Sequence, residues 1–446
     1  MVFEDRGACY HVMSRTAGGE RLFGEQEKEA FVLMMKRMAR FSGVEVLTYA
    51  VMGNHFHLLV RVPERAKFLS GFYRDKPRAL KVLRQRERLR EQEEALGGPR
   101  ESVRVEREAV EATEAAEAAE AAGTGGKSTK MLISAEVGRE VAEQVTEEKL
   151  PAVNEEKLLA HLRLLYSKDY LAQLEGELRQ LEGLGKRELR EAVLQRYLDR
   201  LCRLPVFVKE VKERFSRWFN KCHGRRGTLW MDRYKCLLVE DGRALRTMAA
   251  YIDLNPLRAG LVEDPREYRW SGYAEAVAGS RRARRGLCRV LEMPQDHWKE
   301  GGAEAYRCLL LRDGMGAPEE EVVEAAEGAE AGREGKGEGG RGSGGHRGSR
   351  KGKGDRRSTG RRGFSREAAL RELEDGGKLS VSQLLSCRVR YFSDGMVLGS
   401  RSFVERIFEE KREWFGAKRR DGARGLPLEA GAELFSLRKL RVRALE

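Results

Sequence analysis

The stretch of sequence that decides the fold reads Gly53-Asn54-His55-Phe56-His57-Leu58-Leu59-Val60-Arg61-Val62-Pro63. Side chains alternate between the two sides of a β-strand, so this apolar run predicts a strand over residues 55–62. His55 and His57 then share one side, while Phe56 points to the other side and into a core. Two imidazoles placed in this way can bind one divalent metal, and Asn54 or a distant residue could complete the ligand set. The alternative is an ordinary strand with two partly exposed polar residues.

The residues on either side of this strand predict the beginning of a mixed sheet and helix fold. We expect strands over residues 8–16 and 44–52, and an amphipathic helix over 25–42 between them. The strand over 44–52 is the expected hairpin partner of the histidine strand, with Asn54 near the turn. This β-α-β-β order is how a ferredoxin-like antiparallel sheet with helices on one face begins, so the predicted fold class is α+β.

A second informative segment is Leu245-Arg246-Thr247-Met248-Ala249-Ala250-Tyr251-Ile252-Asp253-Leu254-Asn255-Pro256-Leu257-Arg258-Ala259-Gly260-Leu261-Val262. The residues before Pro256 predict a short helix, which stops there because proline disfavours the helical conformation of the residue that precedes it. Tyr251 and Asn255 are four residues apart and therefore share a helix face. A phenol and an amide oxygen are expected to lie together. The alternative is an amphipathic helix whose tyrosine simply packs with its hydroxyl group satisfied.

Basic residues follow a helix predicted over residues 204–222. Arg225 and Arg226 come directly after it, and a strand predicted over residues 227–240 places Arg233 and Lys235 on one face. Basic side chains next to a proposed active sheet can hold the phosphate backbone of a nucleic acid. The same residues are also typical of a solvated surface.

Taken together, these segments resemble the single-tyrosine HUH transposases, and among them the REP-associated tyrosine transposases. Besides the histidine strand and the Tyr251 helix, the matching pieces are Gly7-Ala8-Cys9-Tyr10-His11-Val12-Met13-Ser14-Arg15, Gly227-Thr228-Leu229-Trp230-Met231-Asp232-Arg233-Tyr234-Lys235 and Trp270-Ser271-Gly272-Tyr273. They occur in the family's order within residues 5–90 and 200–275, under half of the chain.

The resemblance implies roles for particular residues. Tyr251 would be the nucleophile, and His55, His57 and Asn255 would bind Mg²⁺ or Mn²⁺, although histidine would also accept zinc. DNA binding is expected of the basic residues in the matching pieces and next to them, which are Arg15, Arg225, Arg226, Arg233 and Lys235.

A protein of this kind is expected to nick single-stranded DNA and to transfer strands through a 5′-phosphotyrosine intermediate, at palindromes that fold into hairpins. The metal would act as a Lewis acid on the scissile phosphate. No nucleotide cofactor is expected, because the covalent link stores the bond and the chain has no glycine-rich phosphate loop. Two alternatives stay open, a catalytically idle domesticated DNA-binding protein and a metal-dependent nucleic-acid phosphohydrolase.

Composition agrees with a nucleic-acid partner. The chain has 446 residues and a formal net charge of +14, which favours several domains and a polyanionic partner. Its seven cysteines include no Cys-x-x-Cys pair, so reduced thiols are expected. We therefore expect an unexported, cytoplasmic and nucleoid-associated protein with no membrane span, active as a monomer or homodimer.

Composition also predicts how the chain is divided. Low-complexity segments cannot form a core, and Gly/Arg-rich segments behave as linkers. We expect these parts in order: the first half of the catalytic domain (1–90), a charged insertion (91–155), a helical hairpin (156–203), the second half (204–275), a helical extension (276–315), a basic linker (316–363) and a helical accessory domain (364–446). Ser380 and Ser402 are the expected helix N-caps in the last part. An accessory role for it implies that a chain ending near Gly314 would still fold.

Overall fold

The computed structural model describes residues 2–3, 6–95, 149–314, 392 and 396–438, except 417, 427 and 429–432. The strands are β1 (Ala8–Arg15), β2 (Glu45–Val51), β3 (His55–Val62), β4 (Lys235–Val239), β5 (Val397–Gly399), β6 (Arg424–Gly425) and β7 (Phe435–Ser436). The helices are α1 (Glu25–Ser42), α2 (Arg65–Leu69), α3 (Lys76–Ala95), α4 (Glu155–Leu162), α5 (Lys168–Gly183), α6 (Arg187–Leu198), α7 (Leu204–Cys222), α8 (Arg243–Asp253), α9 (Asn255–Arg258), α10 (Gly272–Val277), α11 (Arg281–Val290), α12 (Ala303–Gly314) and α13 (Arg401–Glu410).

These strands form one sheet in the order β2-β3-β1-β4-β5-β7-β6. Within the described part of the chain, β4 and β5 pair in parallel and the other neighbours pair antiparallel. The first four strands, with α1 and α7 between them, follow the β-α-β-β-α-β order of a ferredoxin-like unit. The predicted α+β class is therefore confirmed.

The histidine strand lies inside the sheet, between β2 and β1. It begins at His55 and ends at Val62, as its alternating pattern predicts. Across the β1–β3 ladder, Met13 lies opposite His57 and Arg15 lies opposite His55, and directly opposed residues project to the same side. We call this side of the sheet the histidine face.

The opposite side, which we call the aromatic face, is covered by α1 and α7. Phe56 is fully buried there, and its ring lies 4.6 Å from that of Phe31 on α1. Phe215 on α7 meets Phe31 edge to face at 5.2 Å. Such aromatic pairs add about 0.5–1.5 kcal/mol each beyond their burial. α1 ends where Gly43 adopts the left-handed conformation, with a φ of 74°.

The helices α8, α10, α11 and α12 contribute buried residues to a second core, on the histidine face. α11 approaches β2 very closely, because a Cβ atom on Gly286 would lie 2.4 Å from the carbonyl oxygen of Leu47. The histidine face is therefore covered by a second helical layer, which includes α8.

Between the two halves of the ferredoxin-like unit, the structure has more helices than the hairpin predicted over residues 156–203. Three helices, α4 to α6, fill this range. Ser167 caps the start of α5 by accepting a hydrogen bond from the Tyr170 amide, and Gly185 separates α5 from α6 with a φ of 67°. Leucines of α4 and α5 are buried, namely Leu158, Leu162, Leu171, Leu174, Leu178 and Leu181. Residues 96–148 of the predicted insertion lie outside the described residues.

The C-terminal part of the chain extends the sheet, which the sequence did not predict. β5 pairs with β4, and the Leu238 amide donates to the Met396 carbonyl at 3.0 Å. Ser400, rather than the predicted Ser402, caps α13, because its hydroxyl accepts from the Phe403 amide and also donates to Glu240. The predicted linker over 316–363 and the Ser380 cap lie outside the described residues.

This sheet leads us to expect that a chain ending at Gly314 will not fold stably. The truncation removes residues that are buried against the rest of the protein, namely Val397, Leu398, Val404, Ile407 and Phe408. At about 1.5–3 kcal/mol for each such side chain, the loss is on the order of 10 kcal/mol, comparable with the whole stability of a domain. Thermal unfolding and size-exclusion chromatography check this. Co-expressing residues 390–446 as a second chain should restore solubility, whereas a soluble, cooperatively melting 1–314 chain would contradict the expectation.

Candidate active site

His55 and His57 lie side by side on the histidine face. Their ring centroids are 5.0 Å apart, and the ring planes are close to perpendicular. Both are nearly buried, with 8% of His55 and 3% of His57 exposed. The pair is therefore enclosed by the protein, unlike the partly exposed residues of an ordinary solvated strand.

Tyr251 reaches the same place from α8. This helix packs over the sheet through buried apolar residues, among them Leu245, Met248 and Ile252. The Tyr251 ring centroid lies 5.8 Å from that of His57, with an interplanar angle of 89°. The fold thus brings together the phenol and the imidazoles that the sequence singles out, although almost two hundred residues separate them.

An arginine holds the end of the tyrosine helix. α8 ends at Asp253, and Asn255 already begins α9. Pro256, which lies in this turn, has no amide hydrogen to donate. The Arg258 guanidinium donates to the Tyr251 carbonyl at 2.6 Å. The same guanidinium lies 4.3 Å from the centroid of the Tyr251 ring. A permanent positive charge therefore lies against the ring of the candidate nucleophile.

His11 on β1 is the site residue that sequence reasoning missed. Its Nε2 atom lies 2.8 Å from Nδ1 of His57, and the two rings are stacked at 5.1 Å. Complete burial lowers the pKa of His11 to about 4, so the ring is neutral at pH 7. The sequence shows only a histidine inside an apolar strand. This histidine can be assigned to the site only when its strand is known to pair with β3.

The C-terminal part of the chain also reaches the site, through Phe392. Its carbonyl oxygen lies 2.5 Å from Nδ1 of His11, and its ring centroid lies 4.8 Å from that of Tyr251. Phe392 is fully buried, and 3% of Tyr251 is exposed. Phe392 and His11 therefore form part of the wall around the candidate nucleophile.

Asn54 holds His55 in orientation. Its side-chain nitrogen donates to the Gly19 carbonyl at 2.8 Å, which leaves its side-chain oxygen to accept from Nδ1 of His55 at 2.7 Å. The sequence left open whether Asn54 completes a metal site. Its amide oxygen is instead directed at the imidazole, in the way that residues behind a metal ligand usually fix the ligand's orientation.

The donor set can be compared with what a divalent metal requires. Over the described residues, no group of three or more His, Cys, Asp or Glu side chains is arranged to hold a metal. A site built on His55 and His57 therefore needs an amide donor, as predicted for Asn255. Asn255 lies beyond the end of α8, as the first residue of α9, and its side-chain nitrogen is buried without a hydrogen-bond partner. The predicted set of two imidazole nitrogens and one amide oxygen would suit Mg²⁺ or Mn²⁺, and histidine would also accept zinc.

The five predicted DNA-binding residues fall in three segments of the structure. Arg15 and Lys235 project to the histidine face, because Arg15 lies opposite His55 and Lys235 lies opposite Met13. Arg225 and Arg226 follow α7, and Arg233 precedes β4. The strand predicted over 227–240 begins only at Lys235, because the preceding residues cross the end of β1, where the Met231 amide donates to the Arg15 carbonyl.

A further basic surface lies on α11, next to the tyrosine helix. Its small and apolar side chains are buried, namely Ala283, Gly286, Leu287, Cys288 and Val290. The close packing of Gly286 on β2 turns the opposite side of the helix outward, where Arg281, Arg282 and Arg285 are exposed. These arginines cannot be recognised from the sequence, because a run of charge on a helix is usually a solvated face.

Asp253, two residues after Tyr251, is a fully buried carboxyl group. It accepts hydrogen bonds from the Thr48 hydroxyl at 2.9 Å and from the Tyr306 hydroxyl at 2.5 Å. Burial nevertheless dominates and raises the pKa of Asp253 from 3.8 to about 7. The carboxyl group therefore ties α8 to β2 and α12, and it changes charge near neutral pH.

We expect this carboxyl group to make stability depend on pH. Because its pKa is higher in the folded than in the unfolded protein, its contribution is fully present below about pH 4 and is lost as the pH rises through 7. The loss is at most about 4 kcal/mol, three pKa units at 1.36 kcal/mol each. Asp253→Asn cannot ionise, so its free energy of unfolding should change less between pH 5 and pH 8 than that of the wild type. Chemical denaturation at pH 5 and pH 8 gives the free energy of unfolding of both proteins. An equal change in this free energy between the two pH values in wild type and variant would contradict the expectation.

Comparisons with protein-family models, with curated proteins and with solved structures found no match to this chain. Over the described residues, no helix is long and apolar enough to cross a membrane. Function is therefore inferred from the geometry of the site.

Proposed function

We propose that this protein is a metal-dependent enzyme that nicks single-stranded DNA and transfers strands, a tyrosine transposase of the REP-associated kind. The observation that carries the proposal is the meeting of Tyr251 with the histidine pair on one face of the sheet, at 5.8 Å between the Tyr251 and His57 ring centroids. The fold class agrees with the resemblance that the sequence motifs suggest.

In the proposed reaction, the Tyr251 oxygen attacks a phosphodiester phosphorus. The bond from tyrosine oxygen to phosphorus forms as the bond from phosphorus to the 3′ oxygen breaks. The phenol loses a proton and the departing 3′ oxygen gains one, so the products are a 5′-phosphotyrosine and a free 3′-hydroxyl. Reversal by another 3′-hydroxyl rejoins strands, because the covalent link conserves the energy of the phosphodiester.

The protein supplies charge and orientation for this step. The Arg258 guanidinium against the Tyr251 ring favours negative charge on the phenol, and α8 fixes the direction of the side chain. When bound by His55, His57 and Asn255, a divalent metal would polarise the scissile phosphate as a Lewis acid.

Positive charge around the site supports single-stranded or hairpin DNA as the partner. Arg15 and Lys235 are on the histidine face, and the exposed arginines of α11 flank the tyrosine helix. Neutralisation of backbone phosphates by such residues gives affinity without sequence specificity.

The test is a search for a covalent adduct. The full chain is incubated with Mn²⁺ and a pool of hairpin-forming single-stranded oligonucleotides labelled at the 3′ end, because the protein should remain on the 5′ phosphate of the downstream fragment. We expect a labelled band that survives denaturing electrophoresis, and a tryptic peptide in which Tyr251 carries the nucleotide. The matching double-stranded oligonucleotides are the control.

Two outcomes would overturn the proposal. Cleavage that leaves free 5′-phosphate ends and no adduct would identify a phosphohydrolase that activates water. Tight DNA binding with neither cleavage nor adduct would identify an idle DNA-binding protein.

A further inference from the structure

We infer that His11 is a positioning residue that fixes which nitrogen of His57 faces the reacting groups. The Phe392 carbonyl determines which nitrogen of His11 carries the hydrogen, and therefore the direction of the hydrogen bond between His11 and His57. The inference rests on the proposed function only in assigning metal binding to His57. It concerns the placement of one proton, which can be observed with or without a metal.

His11 lies on β1 and projects to the histidine face of the sheet. On the β1–β3 ladder, Met13 lies opposite His57 and Leu59 lies opposite His11, so His11 and His57 are diagonal neighbours on the histidine face. Side chains in such positions remain within reach of each other. The rings stack 13° from parallel, with Nε2 of His11 2.8 Å from Nδ1 of His57.

The hydrogen-bond partners of His11 determine where the ring protons of His11 and His57 lie. A carbonyl oxygen can only accept a hydrogen bond, so Nδ1 of His11, 2.5 Å from the Phe392 carbonyl, must carry a hydrogen. A neutral imidazole carries a single ring hydrogen, and in this ring the Phe392 carbonyl holds it on Nδ1. Nε2 of His11 therefore has no hydrogen and accepts from Nδ1 of His57. In a neutral His57, the one remaining ring nitrogen, Nε2, then carries a lone pair.

Asn54 holds the ring proton of His55 on Nδ1, as His11 does for His57. The Asn54 nitrogen is used on the Gly19 carbonyl, so the Asn54 oxygen accepts a hydrogen from Nδ1 of His55. A neutral His55 likewise carries its lone pair on Nε2. Two neighbouring imidazoles, held through Nδ1 by separate acceptors, are thus prepared in the form that binds a metal.

Loss of His11 should leave His57 free to exchange its proton between the two nitrogens and to rotate. Removing a residue that orients a metal ligand typically lowers metal affinity by about 10–100-fold. We therefore expect His11→Phe, which fills the space without a nitrogen, to bind Mn²⁺ about 10–100-fold more weakly than wild type. His11→Gln places an amide oxygen near the former Nε2 position, so it should accept from His57 and retain most of the affinity.

The experiment combines isothermal titration with Mn²⁺ and nitrogen NMR of the full chain labelled at histidine. Without metal, wild-type His57 should show a protonated Nδ1 and an unprotonated Nε2, and this pattern should be lost in His11→Phe. A protonated Nε2 of His57 in the wild type, or unchanged affinity and an unchanged spectrum in His11→Phe, would overturn the inference.

A failure of the proposed function can be distinguished from a failure of the inference about His11. If His57→Ala binds Mn²⁺ as the wild type does, His57 is not a metal ligand, yet the NMR spectrum of the wild type still decides whether His11 sets the proton position. If His11→Phe does not fold, His11→Gln and the wild-type spectrum decide the question, because a protonated Nε2 in either protein contradicts the proposed arrangement.

Discussion

Tyr251→Phe is expected to abolish the covalent adduct with DNA and to reduce strand cleavage by at least about a thousandfold, because it removes the oxygen that we propose as the nucleophile. Folding should be nearly unaffected, since the substitution removes one oxygen atom and keeps the ring against Phe392 and Arg258. A hydrogen bond lost with that oxygen costs about 1 kcal/mol. DNA affinity should also be retained, because the basic residues are unchanged.

A matched control comes from a tyrosine on the other side of the sheet. Tyr234 packs partly buried against the aromatic-face core, so Tyr234→Phe removes the same atom away from the site and should cleave DNA normally. Adduct formation and cleavage are measured on denaturing gels, and affinity by fluorescence anisotropy. Cleavage by Tyr251→Phe at a rate near that of the wild type would exclude the tyrosine mechanism and favour the phosphohydrolase.

His57→Ala and His55→Ala are expected to reduce Mn²⁺-dependent cleavage by at least about a hundredfold, since each would remove a proposed nitrogen ligand of the metal and weaken the charge compensation at the phosphate. A chelator in excess should have the same effect on the wild type. Activity at high Mn²⁺ concentration should recover partly in these single variants, because the remaining donors still bind the metal weakly.

The control for these variants is His297→Ala. His297 is partly exposed and lies between α11 and α12, so the same substitution there should leave cleavage and its Mn²⁺ dependence unchanged. Cleavage curves against Mn²⁺ concentration distinguish weaker metal binding from a lower maximal rate. Wild-type activity that persists in excess chelator would exclude a metal role for the histidine pair.

The features that could be predicted are those set by local patterns. β3 and α1 have the predicted bounds, because strict alternation and a helical apolar stripe leave little choice of structure. The approach of Tyr251 to His57 followed from the resemblance. That pairing itself is a contact between distant segments, which no local pattern specifies.

The features that could not be predicted depend on register and on distant pairing. His11 belongs to the site because β1 pairs with β3 in one register, and a shift by a single residue would turn it to the aromatic face. β5 has three residues, too few for an alternating pattern, and its strand character comes from its pairing with β4. The arginines of α11 could be recognised as an exposed basic surface only when the close packing of Gly286 showed which side of the helix is buried.

The contact between His11 and Phe392 also has a consequence for biosynthesis. The two residues are separated by 381 positions in the chain. At ribosomal rates of about 5–20 residues per second, roughly 20 to 80 seconds pass between their syntheses. Both metal-binding candidates on β3 are made early in that interval, before the acceptor that directs His11 exists. A nascent chain therefore lacks the contact that orients His11 until Phe392 has been synthesised.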